Sequence, residues 1–337
     1  MKRIAIIGGG IAGLACALHL DQSNFEITIF DKGRGRGGRV ATQRFDDFQF
    51  DHGAQYIEET DSPFMLELEE WMNRGIIKEW DATLGELQGS RFLNTFKDKR
   101  VFVGTPTMSR IGNYLAEQLD YASFELNTEI VEVFKKFNEW YLVDSDEQIH
   151  GGYDFLVCTI PAPQAKELLQ EFPYIDQILS EVEYSPRWAV MIGLKHRLNV
   201  DYDGIFVSHM RRDPEAPSPI RWLARNNSKP DRPEAESWIV HASHKWSKKY
   251  LEKDPEWVAK KLYQEFLDVT GFEKYQTNLT VAHRWRYAII NKSLNQNFIL
   301  DNNRNIALAG DFCTGKNIEA AYISGETLGE RLNSLRI

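Results

Sequence analysis

The sequence predicts an α/β, bilobal (α+β) protein in which a Rossmann dinucleotide-binding domain contains an inserted domain built on a mixed or antiparallel sheet. Three observations predict it: a glycine-rich strand–turn–helix at the start, a second strand–turn–helix near the end, and alternating strand and helix patterns between them. The 337 residues are enough for two domains. A net charge of −9 and a pI near 5.5 argue against a nucleic-acid partner. No apolar run is long enough to span a bilayer, so we expect no membrane partner.

The first element is the strand–turn–helix "KRIAIIGGGIAGLACALHL", which contains a G-x-G-x-x-G pattern. The first glycine allows a tight turn, the second lets the backbone approach a pyrophosphate, and the third allows close helix–strand packing. A second strand, "FEITIF", ends at an acidic residue about 20 residues further on, where a ribose-binding carboxylate is expected. The alternative is a plain tight turn without a ligand. The predicted cofactor contacts here are Gly8, Gly10, Ile11, Ala12, Gly13, Asp31 and Lys32.

The next element, "DKGRGRGGRVATQRF", holds four arginines and four glycines in residues 31–45. An Arg- and Gly-rich loop directly after the ribose-binding acid can lie along the same diphosphate, with Arg39 donating charged hydrogen bonds to phosphate oxygens. Flavoproteins of the glutathione-reductase and amine-oxidase type carry G-G-R at this place, and "GGR" at 37–39 matches it. The predicted cofactor is therefore non-covalent FAD rather than NAD, in a glutathione-reductase-type Rossmann domain.

The C-terminal element, "NIALAGDFCTGKNIEAAYISGETLGERL", predicts a strand, a loop and a helix that begins near Ile318. In this class of flavoprotein, Gly310 and Asp311 lie near the ribityl chain and diphosphate, and the helix N-terminus stabilises negative charge on the flavin. Both ends of the chain then build one cofactor domain. We assign residues 1–57, 101–165 and 281–337 to that domain, and residues 58–100 and 166–280 to an inserted substrate domain.

The middle of the chain predicts the inserted domain. "SPFMLELEEWMNRGII" and "DPEWVAKKLYQEFLDVTG" have the spacing of amphipathic helices, and "RWAVMIGLKH", "IRWLARN", "SWIVHAS" and "TVAHRWRYA" that of strands. Residues 123–150 predict a β-meander, 154–169 a strand turned outward by its prolines, and 211–219 a surface loop. Arginines beside aromatic residues suit an aromatic, phosphate-bearing substrate. Taken alone, each Trp is more typical of a core and each Arg more typical of a solvated surface. The candidate substrate residues are Trp222, Arg225, His241, His283 and Trp285.

Three cysteines, Cys16, Cys158 and Cys313, form no close pair and no metal-ligand spacing. This pattern predicts a reducing compartment, no disulfide framework and no metal. The basic tip and apolar run of residues 1–18 also resemble a signal peptide. The glycine spacing favours the Rossmann alternative, so we expect a cytoplasmic protein.

Over essentially its whole length the chain resembles the bacterial branch of the renalase family of FAD-dependent oxidases. The matching stretches are "IAIIGGGIAGLACA", "FDKGRGRGGR", "DHGAQYI", "TIPAPQA", "WLARNNSKP", "SWIVHAS", "AHRWRYA" and "AGDFC". The resemblance implies oxidation of isomeric dihydronicotinamide dinucleotides, mainly 2-dihydro-NAD(P), to NAD(P)+. Hydride goes to flavin N5, and O2 is then reduced to H2O2, so no catalytic side chain is assigned. It also implies that Gln55 and Tyr56 line the flavin edge, that Tyr56 contacts substrate, and that the backbone of Val131 meets the adenine.

One phrase departs from the family pattern. Where bacterial relatives have an arginine before the last helix, this chain has "GKNIE", with Lys316 and Asn317 as the candidate substrate residues. A lysine keeps the charge but not the forked geometry of arginine. Two alternatives remain open: a flavin amine oxidase or related desaturase, and a flavin or nucleotide sensor without turnover.

Overall fold

The structure is a computed structural model that describes residues 1–88, 91–96, 99–210 and 216–335. Short 3-10 turns cover Gly38–Val40 and Asn226–Ser228. In the described residues the helices are α1 (Ile11–Leu18), α2 (Phe64–Asn73), α3 (Ser109–Glu117), α4 (Ala162–Leu168), α5 (Pro173–Leu179), α6 (His244–Lys249), α7 (Pro255–Thr270), α8 (Asp311–Thr314) and α9 (Ile318–Asn333). The strands are β1 (Lys2–Ile7), β2 (Phe25–Asp31), β3 (Thr42–Phe45), β4 (Phe48–Asp51), β5 (Ile57–Glu58), β6 (Ile77–Glu79), β7 (Leu84–Gln88), β8 (Arg91–Leu93), β9 (Val101–Gly104), β10 (Ala122–Leu126), β11 (Ile130–Lys136), β12 (Glu139–Asp144), β13 (Ile149–Tyr153), β14 (Phe155–Cys158), β15 (Glu183–Leu194), β16 (Gly204–Val207), β17 (Ile220–Arg225), β18 (Ser237–Ala242), β19 (Thr277–Lys292), β20 (Ile299–Asp301) and β21 (Ile306–Leu308).

The chain divides into two compact units, each made of separated segments. Unit 1 contains Met1–Arg39, Ile111–Tyr184 and Ile290–Ile337, and unit 2 contains Val40–Arg110 and Ser185–Ile289. These boundaries differ from the predicted domain boundaries. Residues 40–57, 101–110 and 281–289 fall in unit 2, and residues 166–184 fall in unit 1.

Unit 1 is built on a six-stranded sheet with the order β10-β2-β1-β14-β21-β20. The first five strands are parallel and β20 is antiparallel to β21. β14 and β21 are buried along their whole length, as expected of central strands in a parallel sheet covered on both faces. The predicted meander is confirmed from residue 130 onward as the antiparallel sheet β11-β12-β13. Its first predicted residues instead form β10, which pairs in parallel with β2.

The segment after β14 corrects one detail of the sequence analysis. The predicted strand over 154–169 ends at Cys158, and the prolines that follow begin α4 instead of turning a strand outward. Pro163 lies in the first turn of that helix, where its missing N–H has no intrahelical acceptor to lose.

Unit 2 is built on a seven-stranded mixed sheet with the order β19-β15-β18-β17-β16-β7-β8. The predicted helices are confirmed as α2 and α7. Asp254 caps the start of α7, where its side chain accepts from two backbone N–H groups, and Gly271 follows the last helical residue with a left-handed φ of 82°. Of the predicted loop over 211–219, residues 211–215 lie outside the described part of the chain.

The two faces of this sheet have different partners. One face packs its apolar side chains, including Val190, Val240 and Leu223, together with Leu262 and Phe266 of α7. On the opposite face, Met191 and Ile239 pack against Phe48 and Phe50 of the β3–β4 hairpin. The side chains of a strand alternate between the faces, so the register decides which residues share the second face.

Among the described residues, no helix is both long enough and apolar enough to cross a bilayer. All three cysteines are buried and unpaired. Burial raises the pKa of the Cys313 thiol to about 12, so this thiol stays protonated at neutral pH.

Candidate functional site

The glycine turn of unit 1 has an open position at its second glycine. Gly8 has φ +115°, and a Cβ on Gly13 would lie 2.0 Å from the Gly8 carbonyl oxygen, so the fold itself requires both glycines. Gly10 is different: its φ is −77°, and a Cβ there would meet no heavy atom within 4 Å. Neither backbone strain nor packing explains this glycine. Close approach of a ligand does explain it, and the turn therefore fits a bound dinucleotide.

The carboxylate of Asp31 is fixed at the end of β2 by two backbone donors. The N–H groups of Gly9 and Gly33 donate to its two oxygens at 2.7 and 2.6 Å. The neighbouring Lys32 is exposed and pairs with Glu129 at 3.2 Å. Each carboxylate oxygen keeps acceptor capacity beyond one hydrogen bond, so Asp31 is oriented and able to accept from ribose hydroxyls.

Val131 occupies a β-bulge. In the pairing of β11 with β12, Ile130 lies opposite Asp144 and Glu132 lies opposite Val143, which leaves Val131 as the extra residue. Its side chain is 54% exposed. A bulge residue is withdrawn from the ladder, which leaves its backbone groups able to bind a ligand, as its predicted adenine contact requires.

Arg39 and Asp311 join to each other, although 272 residues separate them in sequence. The guanidinium donates to both carboxylate oxygens, at 2.6 and 2.8 Å, and the Tyr184 hydroxyl donates to the same carboxylate at 3.2 Å. Burial acts to lower the pKa of Arg39, but the Asp311 carboxylate outweighs it and the pKa is raised. The two predicted cofactor residues therefore act as one forked ion pair.

The start of α9 assigns a structural task to Asn317. Its side-chain oxygen accepts from the Ala320 N–H at 2.9 Å and caps the helix. Ile318 is the buried first residue of α9, and Lys316 is exposed. Gly310 donates its N–H to the Ser324 hydroxyl at 2.8 Å. The predicted substrate role of Lys316 and Asn317 stays a prediction.

In unit 2, the register places several predicted substrate residues on one face of the sheet, which we call the aromatic face. Ala189 pairs with His241, His241 pairs with Trp222, and Trp222 pairs with Phe206, so their side chains share the face that packs against the β3–β4 hairpin. Tyr56 adds a further ring, 5.6 Å from Trp222 between centroids. The result is a wall of aromatic rings beside a buried histidine.

The histidines and Trp285 meet around His52. The carbonyl oxygen of His52 accepts from Trp285 Nε1 at 2.9 Å and is 3.2 Å from His241 Nε2. The His52 ring stacks on Trp285, with 5.0 Å between the ring centroids, and meets the His283 ring edge-on, with 4.7 Å between the centroids. Burial lowers the pKa of His52 to about 4 and that of His241 to about 3, and it also lowers the pKa of His283. These imidazoles are neutral at pH 7.

Next to Gln55 lies a buried ion cluster that the sequence analysis did not assign. Asp51 is fully buried and accepts from Lys229 Nζ at 3.1 Å and Arg232 Nη2 at 2.7 Å. Gln55 donates to the Asp51 and Gly53 carbonyl oxygens, and its own oxygen lies 3.4 Å from Lys229 Nζ. We call Asp51, Lys229 and Arg232 the Asp51 cluster.

Two cations compete for the single carboxylate of this cluster. Burial acts to raise the pKa of Asp51, but Lys229 and Arg232 lower it below its ordinary value. Burial lowers the pKa of Lys229 to about 8 against the opposing pull of Asp51. The cluster carries a net positive charge when Lys229 is protonated.

Arg225 has a structural environment, in contrast to its predicted substrate role. It pairs with Trp238 across β17 and β18, on the face that packs against α7. Its guanidinium bonds Glu236 at 3.2 Å and Asp203 at 3.4 Å, and stacks on Trp238 at 5.0 Å. Strand alternation therefore separates it from Trp222, and we remove it from the candidate site.

A groove of about 380 Å³ lies elsewhere on unit 2. Its lining includes Lys195, Arg197, Asp47 and Glu234 and no predicted substrate residue. The mixed charges of the described groove favour no single class of ligand.

The chain matches a known family model near its start and resembles several curated proteins over a short segment. Residues 6–68 match the model of the NAD(P)-binding Rossmann-like domain. A segment of 56 residues is 42% identical to 4,4'-diaponeurosporene oxygenase of Staphylococcus haemolyticus. A segment of 55 residues is 40% identical to 4,4'-diapophytoene desaturase of Staphylococcus aureus. Each match covers only 11% of the relative and 16–17% of this chain, so it concerns a short segment of both proteins.

Solved structures match over nearly the whole chain. A putative protoporphyrinogen oxidase from Exiguobacterium sp. 255-15 superposes with a TM-score of 0.77 at 14% identity, covering 98% of both chains. A reduced UDP-galactopyranose mutase superposes with a TM-score of 0.74 at 11% identity, covering 98% of this chain and 95% of that one. The predicted fold class is confirmed: an α/β fold with a Rossmann-like domain and an additional mixed-sheet domain.

Proposed function

We propose that this chain is an FAD-dependent oxidoreductase that oxidises isomeric dihydronicotinamide dinucleotides of the 2-dihydro-NAD(P) type to NAD(P)+. The fold and the Rossmann segment support a flavoprotein. The observation that carries the choice of substrate is the charge around the aromatic face. There, Arg187, Arg221 and the Asp51 cluster place more cations than carboxylates beside the aromatic rings.

The residues of unit 1 would hold the cofactor. Gly10 leaves room for the diphosphate, Asp31 is oriented for a ribose, and the Arg39–Asp311 pair would face the phosphate and ribityl region. Bound FAD supplies the two-electron acceptor, with N5 taking the hydride and O2, together with a proton, carrying the electrons away as H2O2.

The aromatic face would position the dihydronicotinamide ring. Loss of a hydride restores the aromaticity of that ring, so no base has to take a proton from the donor carbon. The neutral histidines His52 and His241 agree with this requirement, because they offer hydrogen bonds and a polarisable wall without adding charge. The side chains then work through position and electrostatics.

Charge separates this function from amine oxidation. A simple amine is a cation at neutral pH, and the excess of arginine and lysine here would repel it. A dinucleotide carries a negatively charged diphosphate, which these cations attract. The charge balance therefore favours the dinucleotide.

A second candidate is an amine oxidase or desaturase. Lys229 favours it, since such chemistry typically uses a lysine near flavin N5, and Lys229 is buried beside Gln55 with a pKa near 8. The match of a 55-residue segment to a desaturase is consistent with it.

The test is anaerobic flavin reduction. The purified, FAD-loaded protein is mixed separately with 2-dihydro-NAD, 2-dihydro-NADP, ordinary NADH and a panel of amines, and bleaching of the flavin band is followed. We expect fast bleaching by the 2-dihydro isomers alone. Bleaching by an amine and not by the isomers would replace this proposal with the second candidate.

Cofactor binding is tested with a matched pair of glycines. Gly10→Ala adds a Cβ into open space, so we expect an unchanged melting temperature of the apoprotein but weakened FAD binding. Gly13→Ala places a Cβ against the Gly8 carbonyl oxygen and should lower both the melting temperature of the apoprotein and its affinity for FAD. Equal FAD affinity of Gly10→Ala and the wild type, measured by titration of the apoprotein, would exclude this assignment of the turn.

A further inference from the structure

Two shielded N–H groups on the aromatic face have no acceptor among the described residues. They are Arg187 Nε and Trp222 Nε1, and Trp222 is only 2% exposed. Arg187 lies two residues before Ala189, which pairs with His241 and through it with Trp222, so all share one face. Buried donors nearly always have partners, and leaving one unpaired is unfavourable. A ligand rich in acceptor oxygens would satisfy both.

The charge on Arg187 is also uncompensated by the described residues. Its side chain is half-buried. Burial lowers its pKa to about 10, and the positive charge of Arg221 acts in the same direction. Arg221 lies 5.1 Å above the Phe206 ring and 3.4 Å from the Ser208 hydroxyl. The neighbouring Glu86 accepts from that hydroxyl at 2.7 Å, so this carboxylate lies on the side of Arg221.

Comparison with Arg225 shows how this fold treats a buried arginine without a ligand role. Arg225 has two carboxylates, a carbonyl oxygen and an aromatic ring around its guanidinium. Arg187 and Arg225 belong to the same sheet, on opposite faces. A purely structural arginine would be expected to have the environment of Arg225.

We infer that Arg187, with Arg221 beside it, binds a phosphate group of the dinucleotide substrate, and that the aromatic face therefore contains an anion subsite. The inference rests on the proposed function for the identity of the substrate. A planar guanidinium matches two phosphate oxygens at once. The rings of Phe206 and Trp222 bring aromatic surface next to that subsite. Arg187 thus becomes a specificity-determining residue that the sequence analysis did not single out.

The first test measures binding of ADP-ribose, which carries a diphosphate and no nicotinamide. FAD-loaded protein is titrated by calorimetry, so that the cofactor site is already filled. We expect Arg187→Gln to weaken binding by about tenfold or more, the loss of one charged hydrogen bond. Arg187→Lys should restore part of the affinity. The control Arg286→Gln, an exposed arginine paired with Glu252, should bind as the wild type does.

A second test compares 2-dihydro-NAD with the phosphate-free 2-dihydronicotinamide riboside. Arg187→Gln should raise KM for the dinucleotide and leave turnover of the riboside unchanged. Its melting temperature should equal or exceed that of the wild type, because the variant removes a cation that faces Arg221. A clear drop in melting temperature, with both substrates affected equally, would assign Arg187 a structural role and overturn the inference.

The outcomes separate this inference from the proposed function. Arg187-dependent ADP-ribose binding without oxidation of any dihydronicotinamide supports the anion subsite while the proposed function fails. Absence of ADP-ribose binding to the wild type, or equal binding to Arg187→Gln, overturns the subsite. Oxidation of the isomers would in that case leave the proposed function intact.

Discussion

The glycine turn of unit 1 and the aromatic face of unit 2 are built in opposite ways. The turn uses backbone groups of a short local segment: Gly8 to Gly13, with the Gly9 N–H held by Asp31. The face and the neighbouring Asp51 cluster use side chains from strands and loops far apart in sequence, such as Asp51 and Lys229, which are 178 residues apart. A local backbone site leaves a motif in the sequence, whereas a dispersed side-chain site leaves only scattered residue types.

The largest effect that this comparison predicts comes from the Asp51 cluster. Asp51→Asn removes the one carboxylate shared by Lys229 and Arg232, both with fully buried side chains. Removing one partner from a buried ion pair costs about 3–5 kcal/mol. We expect a loss of that size in the free energy of unfolding, measured by urea titration. The exposed control Asp81→Asn should change it by less than about 0.5 kcal/mol.

The double variant Asp51→Asn, Lys229→Met sharpens this prediction. Removing the orphaned lysine should return part of the lost stability, because one uncompensated buried charge disappears. Strictly additive losses would show that Lys229 and Asp51 are not coupled, and would contradict the geometry of the cluster.

This contrast explains what could be predicted from the sequence. The strand–turn–helix units, the meander, α2 and α7 follow from periodicity and glycine spacing, which are local properties. The sequence analysis selects His241, His283 and Trp285 because aromatic and basic residues cluster in their segments. The structure brings them together around His52, and their substrate role stays a prediction. Their common partner His52 is not predicted, since nothing local in "DHGAQY" shows that its carbonyl oxygen is the hydrogen-bond partner of two side chains.

Two arginines show most clearly which site residues cannot be predicted from the sequence. Arg225 was predicted to contact substrate, and Arg187 was not predicted at all, yet the structure places Arg187 on the face of Trp222 and Arg225 on the other. A shift of one residue along a strand reverses the face. The pairing of β17 with β18 is also irregular between Ile220 and Trp222, so simple alternation along the sequence does not give the face of each β17 residue.

The second prediction concerns the ion pair of Arg39 and Asp311 in unit 1. Arg39→Ala should weaken FAD binding by roughly 1.5–3 kcal/mol, the range for a charged hydrogen bond. Arg39→Ala also leaves the Asp311 carboxylate without its cation. The loss of FAD affinity caused by Arg39→Ala should therefore be smaller when it is measured in an Asp311→Asn background. FAD affinity, measured by quenching of flavin fluorescence, checks both. Unchanged affinity in Arg39→Ala would leave the pair with a purely structural role.

The third prediction concerns pH and the neutral histidines. The folded-state pKa values of His52 and His241, about 4 and about 3, lie below the ordinary 6.5. The unfolded chain therefore takes up these protons first, so stability is complete above about pH 6.5 and falls as pH decreases toward 4. Each group contributes up to about 1.4 kcal/mol per pH unit.

His241→Gln isolates that contribution. Urea unfolding of this variant at pH 7, 6 and 5 should show a smaller loss of unfolding free energy per pH unit than the wild type. The difference in slope should correspond to about one bound proton. The exposed His209→Gln should keep the wild-type slope. Identical slopes in all three proteins would mean that folding does not lower the pKa of His241.

The smallest predicted effect returns to unit 1 and to Asn317, a predicted substrate residue that the structure also shows capping α9. Asn317→Ala removes the acceptor for the Ala320 N–H and should cost about 1 kcal/mol of stability, whereas Asn317→Asp keeps the cap and adds a charge at a favourable helix end. If capping is the whole role of Asn317, the aspartate variant should be as stable as the wild type and should have the same KM for 2-dihydro-NAD. A raised KM in the stable aspartate variant would instead show that this position meets an anionic substrate. The pair of variants thus measures the structural and the functional role of one residue separately.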